Sequence, residues 1–298
     1  MNSLIITSIE QGLIFGVLAM GVILTYKILD IADLSVEGTF PLGAFIFAKF
    51  ISSGMGSIPS TVLAFVFGSL AGLLTATLFT KLRIKPLLSG ILTMTILYSV
   101  NLKINGKSNI PLFSQDSIFD LGSTMVILVI IVLGIKILMD LFLKTETGYL
   151  LIATGDNEAL VKSLGQNSNK YKVLGLMLGN GLVALSGALM AQIQGFADIT
   201  MGNSIIVVAL ASIIVGDAIR KNSDTIRLTS RAIIGAIIYK IIGGIAIDLG
   251  LEPSDLKAIS AIIVIIFLSY NNFFGDVVGL KKKGEKKDAK DTKSVKEF

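Results

Sequence analysis

Gly106-Lys107-Ser108 has the form in which a phosphate-binding loop ends, with a lysine placed to hold a nucleotide's phosphates. Such a loop needs a glycine five residues before Gly106, where this chain has Asn101, and the tripeptide follows an apolar run rather than a strand. No nucleotide site is expected there, so any use of ATP must come from a separate subunit. The chain has no histidine and no cysteine. That excludes the usual catalytic triads, His- or Cys-held metals, a thiolate nucleophile and a disulfide framework. No metal site, bound cofactor or catalytic residue is expected.

Other ionisable residues stand out because apolar runs surround them. Asp33, Glu37, Lys136, Asp140 and Lys240 all fall in or beside such runs, and charge at membrane depth is costly. Glu37 follows Asp33 by four residues and shares its face if that stretch is helical. Lys136 and Asp140 have the same spacing near one end of their segment and read as a structural pair with a snorkelling lysine. Glu37 and Lys240 have two readings: a structural ion pair, or groups lining a pathway. One acid of the 33–37 stretch is expected to lie close to Lys240.

The longest polar connection, 144–172, holds Thr154-Gly155-Asp156-Asn157-Glu158-Ala159-Leu160-Val161-Lys162-Ser163-Leu164-Gly165. Asp156 can cap a short helix with Glu158 in its first turn, where the helix dipole favours an acid. Ala159, Leu160 and Leu164 can share one face, and Gly165 can end the helix. The pattern fits an ordinary surface-lying helix, or a helix that docks into a partner.

The elements that must carry these residues follow from composition. Of 298 residues, 53% are apolar and only 16% charged, against about a quarter charged in soluble domains. Mean hydropathy is +0.80. The formal charge of +5 is concentrated at the end: residues 281–298 hold eight Lys and four acids, leaving 18 basic and 17 acidic groups elsewhere. This Lys-rich tail, 273–298, lacks apolar periodicity and reads as disordered and cytoplasmic. Nothing accompanies its lysines to suggest nucleic-acid binding.

Nine stretches approach the ~20 apolar residues of a membrane helix: 4–26, 34–51, 60–80, 86–104, 123–143, 171–193, 203–220, 229–249 and 255–271. The first has no basic leader and is too long for a signal peptide's core. The stretch 28–43, interrupted by Asp30, Asp33, Glu37 and Pro41, reads as broken or re-entrant. Gly12/Gly16, Gly68/Gly72 and Gly175/Gly179 have the spacing that lets helix backbones approach closely in lipid. The expected fold is an all-α, polytopic membrane helix bundle over 1–272. Basic residues cluster in 81–85, 144–172, 220–231 and the tail. Nine crossings place all four on the inner side, with the N-terminus outside and the C-terminus cytoplasmic.

Gly148-Tyr149-Leu150, Gly155-Asp156-Asn157, Leu164-Gly165-Gln166 and Tyr171, followed by Asn180-Gly181-Leu182-Val183-Ala184-Leu185-Ser186-Gly187, resemble the central region of branched-chain amino acid ABC-transporter permeases. The opening Glu10-Gln11-Gly12-Leu13, then Thr25 to Asp30 and Asp33-Leu34-Ser35-Val36-Glu37-Gly38-Thr39-Phe40-Pro41, narrows the likeness. So do Ser89-Gly90-Ile91-Leu92-Thr93-Met94 and Asn101 to Pro111. Both are similar to tryptophan/tyrosine import permeases. The resemblance runs to about residue 272 and implies a type II importer-like fold in a bacterial inner or plasma membrane. It also implies a second permease copy, two cytoplasmic ABC ATPase subunits that bind the ATP and Mg, an extracytoplasmic solute-binding protein and surrounding lipid. The 148–170 loop would seat its short helix in the ATPase, a role carried here to Gly155, Asp156, Asn157, Glu158, Leu164 and Gly165. Glu158-Ala159-Leu160 precedes Gly165 by seven residues, one more than in other importer permeases.

A zwitterion crossing such a bundle needs weak, transient partners. Thr93, Thr95, Tyr98 and Asn101 share one apolar segment, and Asn180 and Ser186 another. With Glu37 they are the pathway candidates; each also suits a helix–helix hydrogen bond. The loops Lys103 to Asn109 and Gln194 to Asn203 would face the solute-binding protein. The expected function is an importer permease for an amino acid, possibly aromatic, or for another small solute such as a branched-chain amino acid or nucleoside. The alternative is an ion-coupled secondary transporter, weakened by the lack of an inverted pair of broken helices.

Overall fold

The computed structural model describes residues 2–219 and 228–250, with single positions at 258, 261, 262 and 265. Apart from those positions, the expected 255–271 segment, the 220–227 connection and the 273–298 tail lie outside the described residues.

The chain folds as α1 (Asn2–Val22), α2 (Val36–Ser52), α3 (Ser57–Thr80), α4 (Pro86–Asn105), β1 (Asn109–Pro111), α5 (Thr124–Phe142), α6 (Glu146–Asp156), α7 (Glu158–Ser163), α8 (Ser168–Gln194), β2 (Phe196–Asp198), α9 (Ile205–Ile219) and α10 (Leu228–Asp248). Pro86 opens α4 at a position where its missing N–H costs nothing. The short strands pair antiparallel and join two connections that had read as plain loops.

Among the described residues, seven helices are long and apolar enough to cross a membrane. The expected count of nine is therefore not confirmed. The 34–51 stretch forms α2, whose 17 residues span only about 26 Å against a hydrocarbon thickness of about 30 Å; the ninth stretch is outside the described residues.

The expected break at 28–43 is real, and it lies earlier than its proline. α1 widens into a π-turn over Ile23–Ile28, Ile31 N–H reaches back to Thr25 O at 2.9 Å, and Asp30 takes a positive φ of 55°. Asp33 precedes α2, so it and Glu37 do not share a helical face. Pro41 stays inside α2. Its ring has no N–H to offer the Glu37 carbonyl, and Gly202 packs on that carbonyl so closely that a Cβ there would lie 1.8 Å from it.

Backbone approaches fix the helix directions. Gly12 and Gly16 abut Ile237 and Ile233 of α10, and Gly68 and Gly72 abut Ala184 and Leu176 of α8, both antiparallel. Gly21 of α1 and Gly179 of α8 meet backbone to backbone, and Gly175 packs further along on the Leu29 side chain, so α1 and α8 run in the same antiparallel sense. α2 crosses α8, with Gly43 on Ala184 and Gly187 on Phe40, and runs parallel to α4, with Asn101 Nδ2 on Gly38 O and Asn105 Nδ2 on Phe45 O. Gly12/Gly16 and Gly68/Gly72 thus mark helix crossings, while of the third pair Gly179 meets a neighbouring backbone and Gly175 a leucine side chain. As a result Lys81, Lys85, Lys144, Lys172 and Arg231 gather at one end, and the β1–β2 ribbon lies at the other.

Candidate functional site

The 144–172 connection folds into α6 and α7. Asn157, not Asp156, caps α7: its Oδ1 accepts Leu160 N–H at 3.1 Å, while Asp156 still belongs to α6. Asn157 alone has the extended backbone (φ −156°, ψ 90°) a cap requires. Glu158 opens α7 as expected, and Gly165 closes it with a left-handed φ of 75°.

Val161 is the residue α7 buries, while Leu160 and Leu164 are 50% and 61% exposed. The leucines therefore present an apolar tip at the cation-rich end. Glu158 faces the protein instead, accepting from Lys172 (2.7 Å), Lys162 (2.9 Å) and Ser168 (2.9 Å). Gly155 lies against the π-turn; a Cβ there would stand 1.7 Å from Ile28 O. The backbones of α6 and the π-turn are therefore in direct contact.

The hydrogen bonds from Lys172 and then Lys162 hold the Glu158 carboxyl down at about 2. A depressed carboxylate contributes its tether above its ordinary value of 4.5 and loses it as pH falls through about 2. With 37% of the side chain exposed, screening keeps the effect modest. A spin label at Ser163→Cys is expected to keep its mobility from pH 7 to 5.5 and to loosen between 4.5 and 2; Glu158→Gln should loosen it at neutral pH. Equal mobility in both proteins would remove the tether.

The pathway candidates divide into two groups. Asn180, wholly buried, ties α8 to the start of α2: its Nδ2 donates to Asp33 Oδ2 at 2.7 Å and to Leu176 O at 3.1 Å. Its Oδ1 accepts from Ser35 Oγ at 3.1 Å and Thr39 Oγ1 at 2.8 Å. Asp33 Oδ1 accepts Ser35 N–H at 2.9 Å. Thr93 bonds to Thr75 at 3.0 Å, and Ser186 to Val183 O at 2.7 Å. These three candidates, Asn180, Thr93 and Ser186, are occupied in packing.

Glu37, Thr95, Tyr98 and Asn101 instead come together around one cavity of about 260 Å³, walled also by Met94 and Asn203. Asn203 had carried no signal in the sequence beyond its place in an outer loop.

Among the described residues Lys240 meets no acid. Its ammonium lies 3.7 Å from the Phe15 ring centroid and 3.5 Å from Gln11 Oε1, while Asp33 is taken by Asn180. An aromatic face and an amide replace the expected carboxylate. Lys136 and Asp140 do pair, at 2.8 Å, and Asp140 also accepts from Thr229 at 2.6 Å. An unforeseen cluster joins Lys27 of the π-turn to Asp217 of α9, which also meets Arg231 of α10 at 3.2 Å. The signal was available: these charges sit at matching ends of antiparallel segments.

This combination of a multi-crossing helix bundle, a polar cavity between helices and a short helix pair projecting from one end defines a membrane transport permease. The sequence pattern of the family described as branched-chain amino acid transport system / permease component matches residues 4–275, and the chain belongs to that family. It is 45% identical to a tyrosine transport system permease protein of Clostridioides difficile (strain R20291), covering 95% of each chain. It is 24% identical to the autoinducer 2 import system permease protein of Yersinia pestis (strain Pestoides F), over 72% of this chain and 61% of that one. Among solved structures, PsaBC from Streptococcus pneumoniae in complex with Fab shares the fold, with a TM-score of 0.51, 17% identity and coverage of 89% and 90%.

Proposed function

We infer that the chain is the membrane-spanning subunit of a binding-protein-dependent ABC importer for an amino acid, with tyrosine or a related aromatic amino acid the favoured solute. The observation that carries this is the mechanical line from the exposed Leu160–Leu164 tip of α7, through Gly155, to the π-turn that ends α1. A docked cytoplasmic ATPase can pull on that line when it closes on ATP and Mg. Two ATPases, a second permease copy and an extracytoplasmic solute-binding protein complete the assembly. The clustering of cations at the α6–α7 end supports a cytoplasmic location for that end in a bacterial plasma membrane, with the N-terminus outside and the C-terminus cytoplasmic. The preference for tyrosine rests on the 45% identical relative.

Uptake of labelled tyrosine by proteoliposomes holding permease, ATPase and binding protein tests this. Leu160→Glu/Leu164→Glu changes only exposed positions, so the chain should insert normally, lose ATPase capture and lose at least about tenfold of its uptake, the equivalent of ~1.4 kcal/mol. Unchanged uptake in the double variant, or uptake driven by an ion gradient without ATP, overturns the assignment.

A further inference from the structure

A cavity of about 470 Å³ opens between the end of α3 and the start of α8, at the cation-rich end of the bundle. Its depth follows from the glycine crossing. Gly72 meets the Leu176 carbonyl, so about 12 Å further on the end of α3 draws level with the start of α8. The 24 residues of α3 span about 36 Å against a hydrocarbon thickness of about 30 Å, so Lys81, which follows them, reaches the headgroup layer. Lys81, Lys170, Asn167 and Asn169 form the mouth. Val173, Leu174 and Met177 form the floor, with Met177 about 15 Å along α8 from Asn167. Both lysines are exposed, and among the described residues neither ammonium has a hydrogen-bond or ion-pair partner. Glu158, on the adjacent α7, is occupied by Lys172, Lys162 and Ser168. Asn167 Oδ1 accepts Asn169 N–H at 3.1 Å, which leaves the Asn167 amide NH2 to donate. The opposing groups are neutral: the Asn169 amide oxygen, and the lone pairs of the Thr80 hydroxyl, which itself donates to Ala76 O at 2.7 Å. Two cations and no carboxylate line the mouth.

Such a mouth favours an anion, and such a floor, within the depth of the bilayer, favours a hydrocarbon chain. An anionic phospholipid carries both in one molecule, and basic pockets between membrane helices suit its headgroup. A small soluble anion would leave the apolar floor uncovered, and an acidic protein surface docked from the water would stop at the mouth. We propose that this cavity seats an anionic phospholipid, its phosphate between Lys81 and Lys170 and an acyl chain along Val173, Leu174 and Met177. The lipid then sits at the root of the projecting α6–α7 pair, because Asn167 caps the helix that follows it. The proposal requires that the bundle crosses a bilayer and is independent of the solute it carries.

The chain has no tryptophan, which supplies the test. Leu82, 65% exposed and next to Lys81, takes a single reporter as Leu82→Trp in the full chain; Ile130→Trp, at a 64% exposed position of α5, is the control. Each protein is reconstituted in equal parts of phosphatidylcholine and phosphatidylglycerol, with one lipid or the other brominated. Brominated phosphatidylglycerol is expected to quench Leu82→Trp more strongly than brominated phosphatidylcholine, with a relative affinity of roughly tenfold, as two lysines at a bilayer surface supply. Ile130→Trp should be quenched equally by both. Adding Lys81→Gln/Lys170→Gln changes only exposed side chains and should cut the preference at Leu82→Trp at least severalfold. Equal quenching of Leu82→Trp by the two lipids, or a preference that the two glutamines leave unchanged, overturns the proposal. So does a preference abolished by inorganic phosphate but not by chloride of equal ionic strength, which marks a site for a free anion. A preference lost when the ATPase docks gives the lysines to a protein interface and overturns it as well. None of these outcomes alters the uptake expected of Leu160→Glu/Leu164→Glu, so a failure here leaves the importer reading standing.

Discussion

Gly155→Val is expected to abolish ATP-driven uptake while leaving the permease in the membrane. The new Cβ would meet Ile28 O at 1.7 Å, Ile28 C at 2.8 Å and Leu29 Cα at 3.0 Å. All three are backbone atoms, so no side chain can rotate away. Overpacking ordinarily costs about 1–3 kcal/mol, more when backbone must move. Here the cheapest relief is to swing α6 and α7 away from the π-turn, which separates the exposed leucines from the helix they would drive. Basal ATPase activity should survive and its stimulation by loaded binding protein should vanish; Gly155→Ala should show a weaker form of the same loss. Normal stimulated turnover in the valine variant would mean that the α6–α1 contact transmits nothing.

Asp33→Ala should produce the largest loss of folded protein. The carboxylate serves Asn180 Nδ2 and Ser35 N–H, both in a fully enclosed setting. Each buried group left without its partner costs about 1–3 kcal/mol, and the two together bind the start of α2 to α8. The amount of folded permease recovered in mild detergent is expected to fall severalfold and its thermal midpoint to drop. Asn180→Leu should be comparably damaging, because Ser35 and Thr39 then lose their shared acceptor. Combining the two should cost less than their sum, as expected of groups in one network. Strict additivity, measured from the three midpoints, would show that the two side chains act independently.

Much of this was legible before any coordinates, and the limits have physical causes. The apolar runs located the crossing helices because a lipid-spanning backbone must satisfy its own hydrogen bonds, which leaves a long apolar run as its signature. Gly12/Gly16, Gly68/Gly72 and, of the third pair, Gly179 marked crossings for a related reason: in lipid, close backbone approach takes the place of hydrophobic drive. The break before α2 was visible in its charges, but its mechanism was not. Pro41 looked responsible, whereas the chain unwinds at Ile23–Ile28, where the sequence is merely apolar and a π-turn leaves no compositional trace.

The cap of α7 was misplaced by one residue because Asp156 and Asn157 are equally good capping types, and only the backbone angles of Asn157 separate them. Lys240 was assigned an acidic partner because nothing in a linear sequence shows an aromatic ring arriving from a helix more than 200 positions away. Of the pathway candidates, polarity alone could not separate residues consumed by packing, such as Asn180, from those left facing a cavity, such as Asn101; both are amides in apolar helices.

The glycine contacts among α2, α3 and α8 restrict how such a bundle can move. At Gly43, Gly72 and Gly187 a carbonyl oxygen of a neighbouring helix lies 1.8, 2.2 and 1.9 Å from where a Cβ would stand. Carbonyls seated that deeply act as cogs: sliding one helix past another by a fraction of a turn would lift each out of its notch and drive it into the next side chain. Sliding within this trio is thereby opposed, and a working cycle is expected to carry the three helices as one solid wedge.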